Sequence, residues 1–349
     1  AWGRLNMALA AGEPPPAVAP DLPRRRLTLD HVFVAPPGSQ TATVKDVAFI
    51  LEAGQGLAVI GPSASGKSSL ARALVGVWPT QRGSLRLDGA TLDQWPEAMR
   101  GAIIGYMPQD VQLFAGTIAE NIARFDPALD EDAVRAAAKA AGAYDLIVGL
   151  PKGFDTPIGE AGRVLSGGQR QRIGLARALS NDADILLMDE AYSALDPLIR
   201  VDMQSVLLDL QKELKKTVVF ITHDLDEALR LGDRIAILRD GEVIQQGSGQ
   251  DIVLQPADDY ISAFVKEVNR GRVIMLGTIM SPSTQQGEGL QLPNDMVLET
   301  AARMMTEARQ TSANVVDEAG KPVGHVDLQQ IIGAMVTPKT HEDNQIAAE

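Results

Sequence analysis

GLAVIGPSASGKSSLARALVGVW, residues 56–78, decides the fold. GLAVI reads as a buried strand and SSLARALVGVW as a helix. Between them lies Gly61-Pro62-Ser63-Ala64-Ser65-Gly66-Lys67-Ser68. Glycines let a backbone wrap tightly, so that successive N–H groups point inward at phosphate oxygens. A helix starting on such a loop adds the positive end of its dipole. The loop, with Ser69, is therefore the predicted nucleotide contact; Lys67 reaches the β- and γ-phosphates and Ser68 holds Mg²⁺. A glycine turn that merely caps a helix is the competing reading, and the strand–loop–helix context weighs against it.

Outward from this loop, strands and helices alternate. LTLDHVFV (27–34) and VKDVAFILEAG (44–54) precede it as strands. Short strands follow near SLRLDG and IIGYM, then ADILLMDE (183–190) and TVVFITHD (217–224), and RIAILRDGEVIQQG (234–247) reads as a hairpin turning at Asp240-Gly241. Helices are predicted over 118–149, over 197–214 and at DEALRLG (226–232). Alternation of this kind gives an α/β fold with a parallel sheet covered on both faces. Ile185-Leu-Leu-Met-Asp189-Glu190 buries a strand and delivers two carboxylates at its C-terminal end, where ligands bind in open parallel sheets. Asp189 is placed to orient Mg²⁺ and Glu190 to polarise an attacking water. Alone, the same run is a core strand ending in a solvated acidic turn; the phosphate loop upstream favours the chemical reading.

Composition sets the bounds. The 349 residues suffice for two or three domains, and 45% are apolar, the usual globular level. A formal net charge of -13 argues against a nucleic-acid partner, which normally meets a basic face. The absence of cysteine excludes disulfides, thiolate metal sites and thiol catalysis, and fits a reducing compartment. No stretch approaches the roughly 18 apolar residues of a spanning helix. Ala1 to Ala11 lacks the order of a secretory signal, and with no initiator Met the chain reads as a fragment.

Residues 1–26 read as the tail of a helix followed by a Pro-rich extended linker. The character changes again near residue 270. RVIMLGTIM is expected to enter a small domain at 271–338 as a strand. A polar stretch (SPSTQQGEG), a helix from Asp295 to about Arg309, the paired strands of SANVVDEAGKPVGHV and a closing helix follow. Residues 339–349 read as a disordered tail.

A third motif makes the resemblance specific. Leu165-Ser166-Gly167-Gly168-Gln169, opening a helix, resembles the signature of ABC transporter ATPases. Physically it offers a second N–H cradle for phosphate. A helix N-cap explains Ser166 alone but not Gly167, Gly168 and Gln169 beside it. The other motifs follow in the family's order. Gln109 resembles the glutamine that contacts Mg²⁺ and reports to the membrane domains. Asp196, in Ser-Ala-Leu-Asp, resembles the loop that crosses the dimer interface. His223 resembles the histidine on the γ-phosphate; a lone histidine is as often structural, and the apolar strand before it favours the functional reading. The resemblance covers residues 27 to about 265.

The resemblance implies a P-loop ATPase domain at 27–268, with an antiparallel β subdomain (27–55 and 82–90) and a helical subdomain (about 115–180). It implies ATP and Mg²⁺ as cofactors. Two chains would close head to tail, as a homodimer, around two ATP molecules, each between Lys67 of one chain and Ser166 of the other. The partners would be transporter membrane domains, reached peripherally from the cytoplasmic face of a bacterial inner membrane or carried on the same, longer chain. One departure stands out: the family stacks adenine on an aromatic residue before the phosphate loop, and by spacing Pro36 falls there, with Phe33 out of phase.

The two halves resemble different transporters. GYMPQDVQLFAGTIAENIARF and TPIGEAGRVLSGGQRQR are similar to type I protein secretion exporters, in which Gly159-Glu160 belongs to a segment sensing the opposite membrane domain. From about Ser180, SNDADILLMDEAYSALDPLIRVDMQ and VVFITHDLDEALRLGDRIAILRDGEVIQQG are similar to glycine betaine/proline importers. Those importers often carry CBS modules, and VVDEAGKPVGHVDLQQII resembles one, which implies a small α+β regulatory domain with a possible adenine nucleotide. The seam near Leu179-Ser180 is that of a hybrid, natural or engineered. The cargo implied is either an exported protein or an osmolyte of the glycine betaine, proline or choline type. Two rival classes stand beside these: a soluble ATPase of the superfamily, which would show a coiled-coil insertion or tandem halves, and a regulatory nucleotide-binding protein without turnover.

Overall fold

The computed structural model describes residues 26–336 apart from 129, 160, 161, 163, 194 and 284–288. The expected linker before residue 26, Glu160, most of the polar stretch at 281–289 and the expected tail at 339–349 lie outside the described residues. The strands are β1 (Arg26–Val34), β2 (Val44–Glu52), β3 (Gly56–Ile60), β4 (Thr80–Leu87), β5 (Ala90–Thr91), β6 (Ile104–Met107) and β7 (Ile185–Asp189). After them come β8 (Thr217–Thr222), β9 (Arg234–Arg239), β10 (Glu242–Gly247), β11 (Ser281–Pro282), β12 (Gln291–Pro293), β13 (Ser312–Val316) and β14 (Pro322–Asp327). By its internal contacts the chain divides into Ala1–His223 with Leu238–Val243, and Asp224–Ile237 with Ile244–Glu349.

In the first unit, β2-β1-β4-β5 form an antiparallel sheet. In its second sheet β3, β8, β7 and β6 are parallel neighbours, in that order. Every residue of β3, β7 and β8 is buried. Apolar runs such as ILLMD and TVVFIT are what a strand needs when helices cover both faces of its sheet. Four strand ends, after Ile60, Met107, Asp189 and Thr222, therefore carry their following residues to one edge.

The helical arm is more broken than the sequence suggested. In place of continuous helix over 118–149 there are three short helices, Ile118–Ile122, Glu131–Ala140 and Tyr144–Val148. Arg124 and Phe125 both take left-handed backbone (φ 56 and 60), which ends the first, and Gly142 (φ 61) separates the other two. Buried Asn121 ties the arm to the preceding loop: its amide donates to the Phe114 and Thr117 carbonyls at 2.9 and 3.0 Å and accepts from Phe114 N–H at 2.8 Å. The helix Gly167–Leu179 completes it. The helix expected at 68–78 stops at Leu74, where Gly76 turns the chain (φ 74).

The second unit holds a mixed sheet, β11-β14-β13-β12, in which β12 and β13 are parallel. Its core is Ile274, Leu276, Leu292, Leu298, Met305, Val315, Val326 and Ile331, with Leu254 packed against it. The expected strand at RVIMLGTIM is not formed. Ile274 and Leu276 are buried around the more exposed Met275, which mimics strand alternation, but pairing is a single bridge, Met275 to Val297. The chain then winds into a short helix, Leu276–Ile279. The helix expected over 295–309 spans Leu298–Glu307. The turn at Asp317–Gly320 forms as read, with Gly320 at φ 75 and the Asp317 carboxylate accepting from the Ala319 and Lys321 N–H groups. Arg270, 8% exposed, donates Nη1 to the Val253 carbonyl (3.2 Å) and Nε to the Ala334 carbonyl (3.1 Å), each near a helix C-terminus. Among the described residues no helix is long and apolar enough to cross a membrane.

Candidate functional site

The loop Gly61–Ser68 is held in shape from two sides. A side chain at Gly61 would place its Cβ 2.1 Å from the Leu238 carbonyl oxygen, and one at Gly66 (φ 100) 2.4 Å from that of Thr43. Only glycine fits where two backbones approach so closely. The hairpin turn braces the loop: Gly241 N–H donates to the Ser65 carbonyl at 3.1 Å. Lys45 donates its N–H to the Gly241 carbonyl at 2.7 Å and its Nζ to the Asp240 carbonyl at 2.8 Å. Asp240 and Gly241 both have positive φ, the geometry of a two-residue hairpin turn. The sequence reading found the turn but not its role as a brace; the Asp-Gly pair was the available signal.

Lys67 opens the helix Lys67–Leu74 and is buried. Its Nζ donates to the Gly61 and Pro62 carbonyls at 2.9 and 3.0 Å and lies 3.6 Å from Glu190 Oε1. Pro62, Ser63 and Ala64 are exposed at the tip, Ala64 in left-handed backbone, and Ser69 is half-buried. Ser65 Oγ is buried with no hydrogen-bond partner among the described residues, a donor the fold itself leaves unanswered.

Glu190 is where the other groups meet. Gln109 Nε2 donates to its Oε2 at 3.2 Å, and His223 Nδ1 lies 3.7 Å from the same oxygen. The residue leaves β7 in left-handed backbone (φ 46), held by Glu190 N–H to the Ile221 carbonyl (2.9 Å) and by Ser193, whose N–H and hydroxyl both donate to the Glu190 carbonyl. Such a backbone costs about 1–3 kcal/mol and persists where surroundings over-determine it. Next to it, Asp189 accepts from Ser68 Oγ at 3.3 Å. Burial raises the Asp189 carboxyl above the ordinary range, the Ser68 hydrogen bond opposes this, and the Glu190 charge adds to it. Tyr106 is pushed up to about 12 by burial, and the Asp189 charge adds to it.

Two hard oxygen donors side by side, Ser68 and Asp189, suit Mg²⁺. Among the described residues no group of three titratable ligands could hold a metal by itself. Mg²⁺ typically takes one or two carboxylates from protein and its other ligands from phosphates and water. The donors fit.

Ser166 and Asp196 stand apart. No hydrogen bond or ion pair among the described residues joins them to Glu190. Ser166 caps the helix Gly167–Leu179 in a capping box: its Oγ accepts from Gln169 N–H, and Gln169 Oε1 accepts from Ser166 N–H at 2.8 Å. Gln169 thus has a structural task, contrary to the expectation that a cap leaves it unexplained. Gly168 has one too, since a Cβ would lie 2.8 Å from Ile199 Cγ2, but at Gly167 it would meet nothing within 4 Å. Asp196 caps the helix Pro197–Leu214 by accepting from Leu198 N–H at 2.9 Å. Pro36 sits in a turn closed by Ser39 N–H to its carbonyl (2.9 Å), and Phe33 lies in β1 opposite Arg82.

Residues 44–193 match the family described as "ABC transporter". The chain is 44% identical over 256 residues to the type I secretion system ATP-binding protein PrsD of Rhizobium meliloti, covering 73% of this chain and 44% of that one. It is 38% identical over 296 residues to the glycine betaine/carnitine transport ATP-binding protein GbuA of Listeria monocytogenes, covering 83% and 72%. A solved bacterial Atm1-family ABC exporter with ATP bound superposes with a TM-score of 0.66 at 32% identity, over 76% of this chain and 47% of that one. The chain thus spans under half of the secretion relative and most of the betaine one. Likeness of that depth on both sides, over a phosphate loop backed by paired carboxylates, makes this chain an ATP-binding ATPase of the ABC transporter family.

Proposed function

We propose that the chain is the peripheral motor of a membrane transporter and works as a head-to-tail pair. The convergence of Lys67, Gln109 and His223 on Glu190, beside Ser68 and Asp189, carries this reading. The loop amides, Lys67, the unanswered Ser65 hydroxyl and Ser69 hold the triphosphate of ATP. Ser68, Asp189 and Gln109 hold Mg²⁺, which neutralises phosphate charge. Glu190 orients and polarises the water attacking the γ-phosphate, and His223 steadies that phosphate. Lys67 leaves its carbonyl partners for phosphate when nucleotide arrives.

Ser166, Gly167, Gly168, Gln169 and Asp196 complete the site of the opposite chain. Gly167, open on its outer side at a helix N-terminus, supports this. Mixing Lys67→Ala with Ser166→Arg chains tests it. Each variant alone is inactive, whereas a mixed pair has one intact site and regains turnover. No regain on mixing would mean that each site is built within one chain.

The membrane domains meet a groove of 480 Å³ lined by Tyr106, Pro108, Phe114, Asn121 and Phe125 among others. Its segments are those that read as exporter-like, which favours a secretion-type contact; the likeness to the betaine protein keeps an osmolyte as the alternative cargo. The tail is a CBS-like module that regulates turnover by adenine nucleotide or ionic strength. On its helix Leu328–Val336, Ile332 and Val336 are 51% and 74% exposed, a face suited to a second copy.

A further inference from the structure

The groove just described carries two cations, Arg124 and Arg177, with which no carboxylate among the described residues pairs. Arg124 donates Nη1 to the Gly101 carbonyl at 2.9 Å and Nε to the Arg177 carbonyl at 3.2 Å. Arg177 donates Nη1 to the Gln112 carbonyl at 2.8 Å. Both guanidiniums line the groove, and no carboxylate among the described residues bonds to either. Burial lowers the pKa of both, and the Arg124 charge lowers that of Arg177 further. The acidic side chain on the lining is Asp110, whose carboxylate accepts from Gln112 at 3.3 Å. The lining thus keeps a surplus of positive charge on a chain whose net charge is -13. At the rim, Phe114 and Phe125 are 61% and 45% exposed and stand edge to face, 6.2 Å apart.

Carbonyl hydrogen bonds fix the planes of these guanidiniums but leave their charge uncompensated. A half-buried cation in that state is a poor contributor to folding and a strong one to binding, because the partner that supplies an anion finds the desolvation already done. Guanidinium forks also match carboxylate geometry.

We propose that the element of the membrane partner docking in this groove presents an acidic side chain to Arg124 and Arg177, flanked by apolar side chains that cover Phe114 and Phe125. This rests on the reading of the groove as the membrane-domain contact. The register of the partner on the groove is then set by one charge, and an amphipathic helix without an acid at that point is discriminated against.

The test is a fluorescence titration of the full chain with three short amphipathic helical peptides, identical except for Glu, Gln or Lys at the centre of the apolar face. The Glu peptide should bind about tenfold tighter than the Gln peptide, and the Lys peptide weakest. Arg124→Gln with Arg177→Gln should erase that order, and Arg124→Glu should invert it towards Lys, a gain that misfolding does not produce. Phe114→Ala should weaken all three alike. Equal affinity for Glu and Gln peptides with Phe114→Ala still weakening both overturns the acid recognition and leaves the groove. Binding that ignores Phe114→Ala, or no binding by any peptide, overturns the groove reading and the proposal with it.

Discussion

Gly66→Ala puts the phosphate-loop geometry to a quantitative test. Gly66 sits at φ 100, where an L-residue costs about 1–2 kcal/mol. Its new Cβ would lie 2.4 Å from the Thr43 carbonyl oxygen and 3.5 Å from Val44 Cγ2. The first contact is with backbone, and that backbone has little room to retreat. Thr43 N–H is bonded to the Val34 carbonyl at 2.8 Å, and the Thr43 carbonyl oxygen would already lie 2.6 Å from a Cβ at Gly241. Overpacking of this kind adds about 1–3 kcal/mol. The sum, about 2–5 kcal/mol, falls on the loop that must hold its shape around phosphate. ATP affinity should drop roughly thirtyfold to several thousandfold, at a factor of ten per 1.4 kcal/mol. Equilibrium titration with a fluorescent ATP analogue reads this directly. Gly320→Ala is the control: φ is 75 but nothing lies within 4 Å, so stability falls while ATP affinity stays. ATP affinity within twofold of the parent for Gly66→Ala, with an unchanged unfolding midpoint, would refute the reasoning.

Asp189→Asn keeps an acceptor for Ser68 and removes a buried charge, so the nucleotide-free chain should unfold at a higher temperature while Mg²⁺-dependent nucleotide binding is lost. The folded-state carboxyl is raised, so its charge destabilises above the folded pKa and the penalty fades as pH falls through it; the gain in Asn should be full near neutral pH and shrink in acid. A gain that grows towards low pH would contradict this. Arg270→Met removes two charge-assisted hydrogen bonds that join the helix Gly249–Leu254 to the helix Leu328–Val336. It should cost about 1.5–3 kcal/mol in denaturant unfolding, against no measurable change if those contacts are idle.

The parts legible in the sequence were those with a local cause. GPSASGKS between a strand and a helix, ILLMD followed by Glu190, and Asp240-Gly241 between two apolar runs each specify their own geometry, and the structure has them there. Errors arose where a pattern had two local solutions. Ile274 and Leu276 alternate with Met275 as a strand would, yet the segment turns into helix after one bridge. Ser166-x-x-Gln169 is both a signature-like run and a capping box, and the sequence reading saw only the first. The helix Glu97–Ile103 and the three-residue strand β12 are too short to show a period. Long-range facts were out of reach altogether. That Thr43 backs Gly66, or that Arg124 and Arg177 share one groove with no carboxylate among the described residues bonded to either, depends on which segments the sheets bring together.

The site is centred on Glu190, and the most direct measurement is steady-state ATP turnover by Glu190→Gln beside its ATP affinity. Glutamine keeps the size of the side chain and an oxygen that can accept from Gln109. Turnover should fall by about 10²-fold or more, as for a positioned acid–base group, while ATP still binds and holds the paired state. Turnover within a few-fold of the parent chain would contradict the account and move the chemistry to another residue.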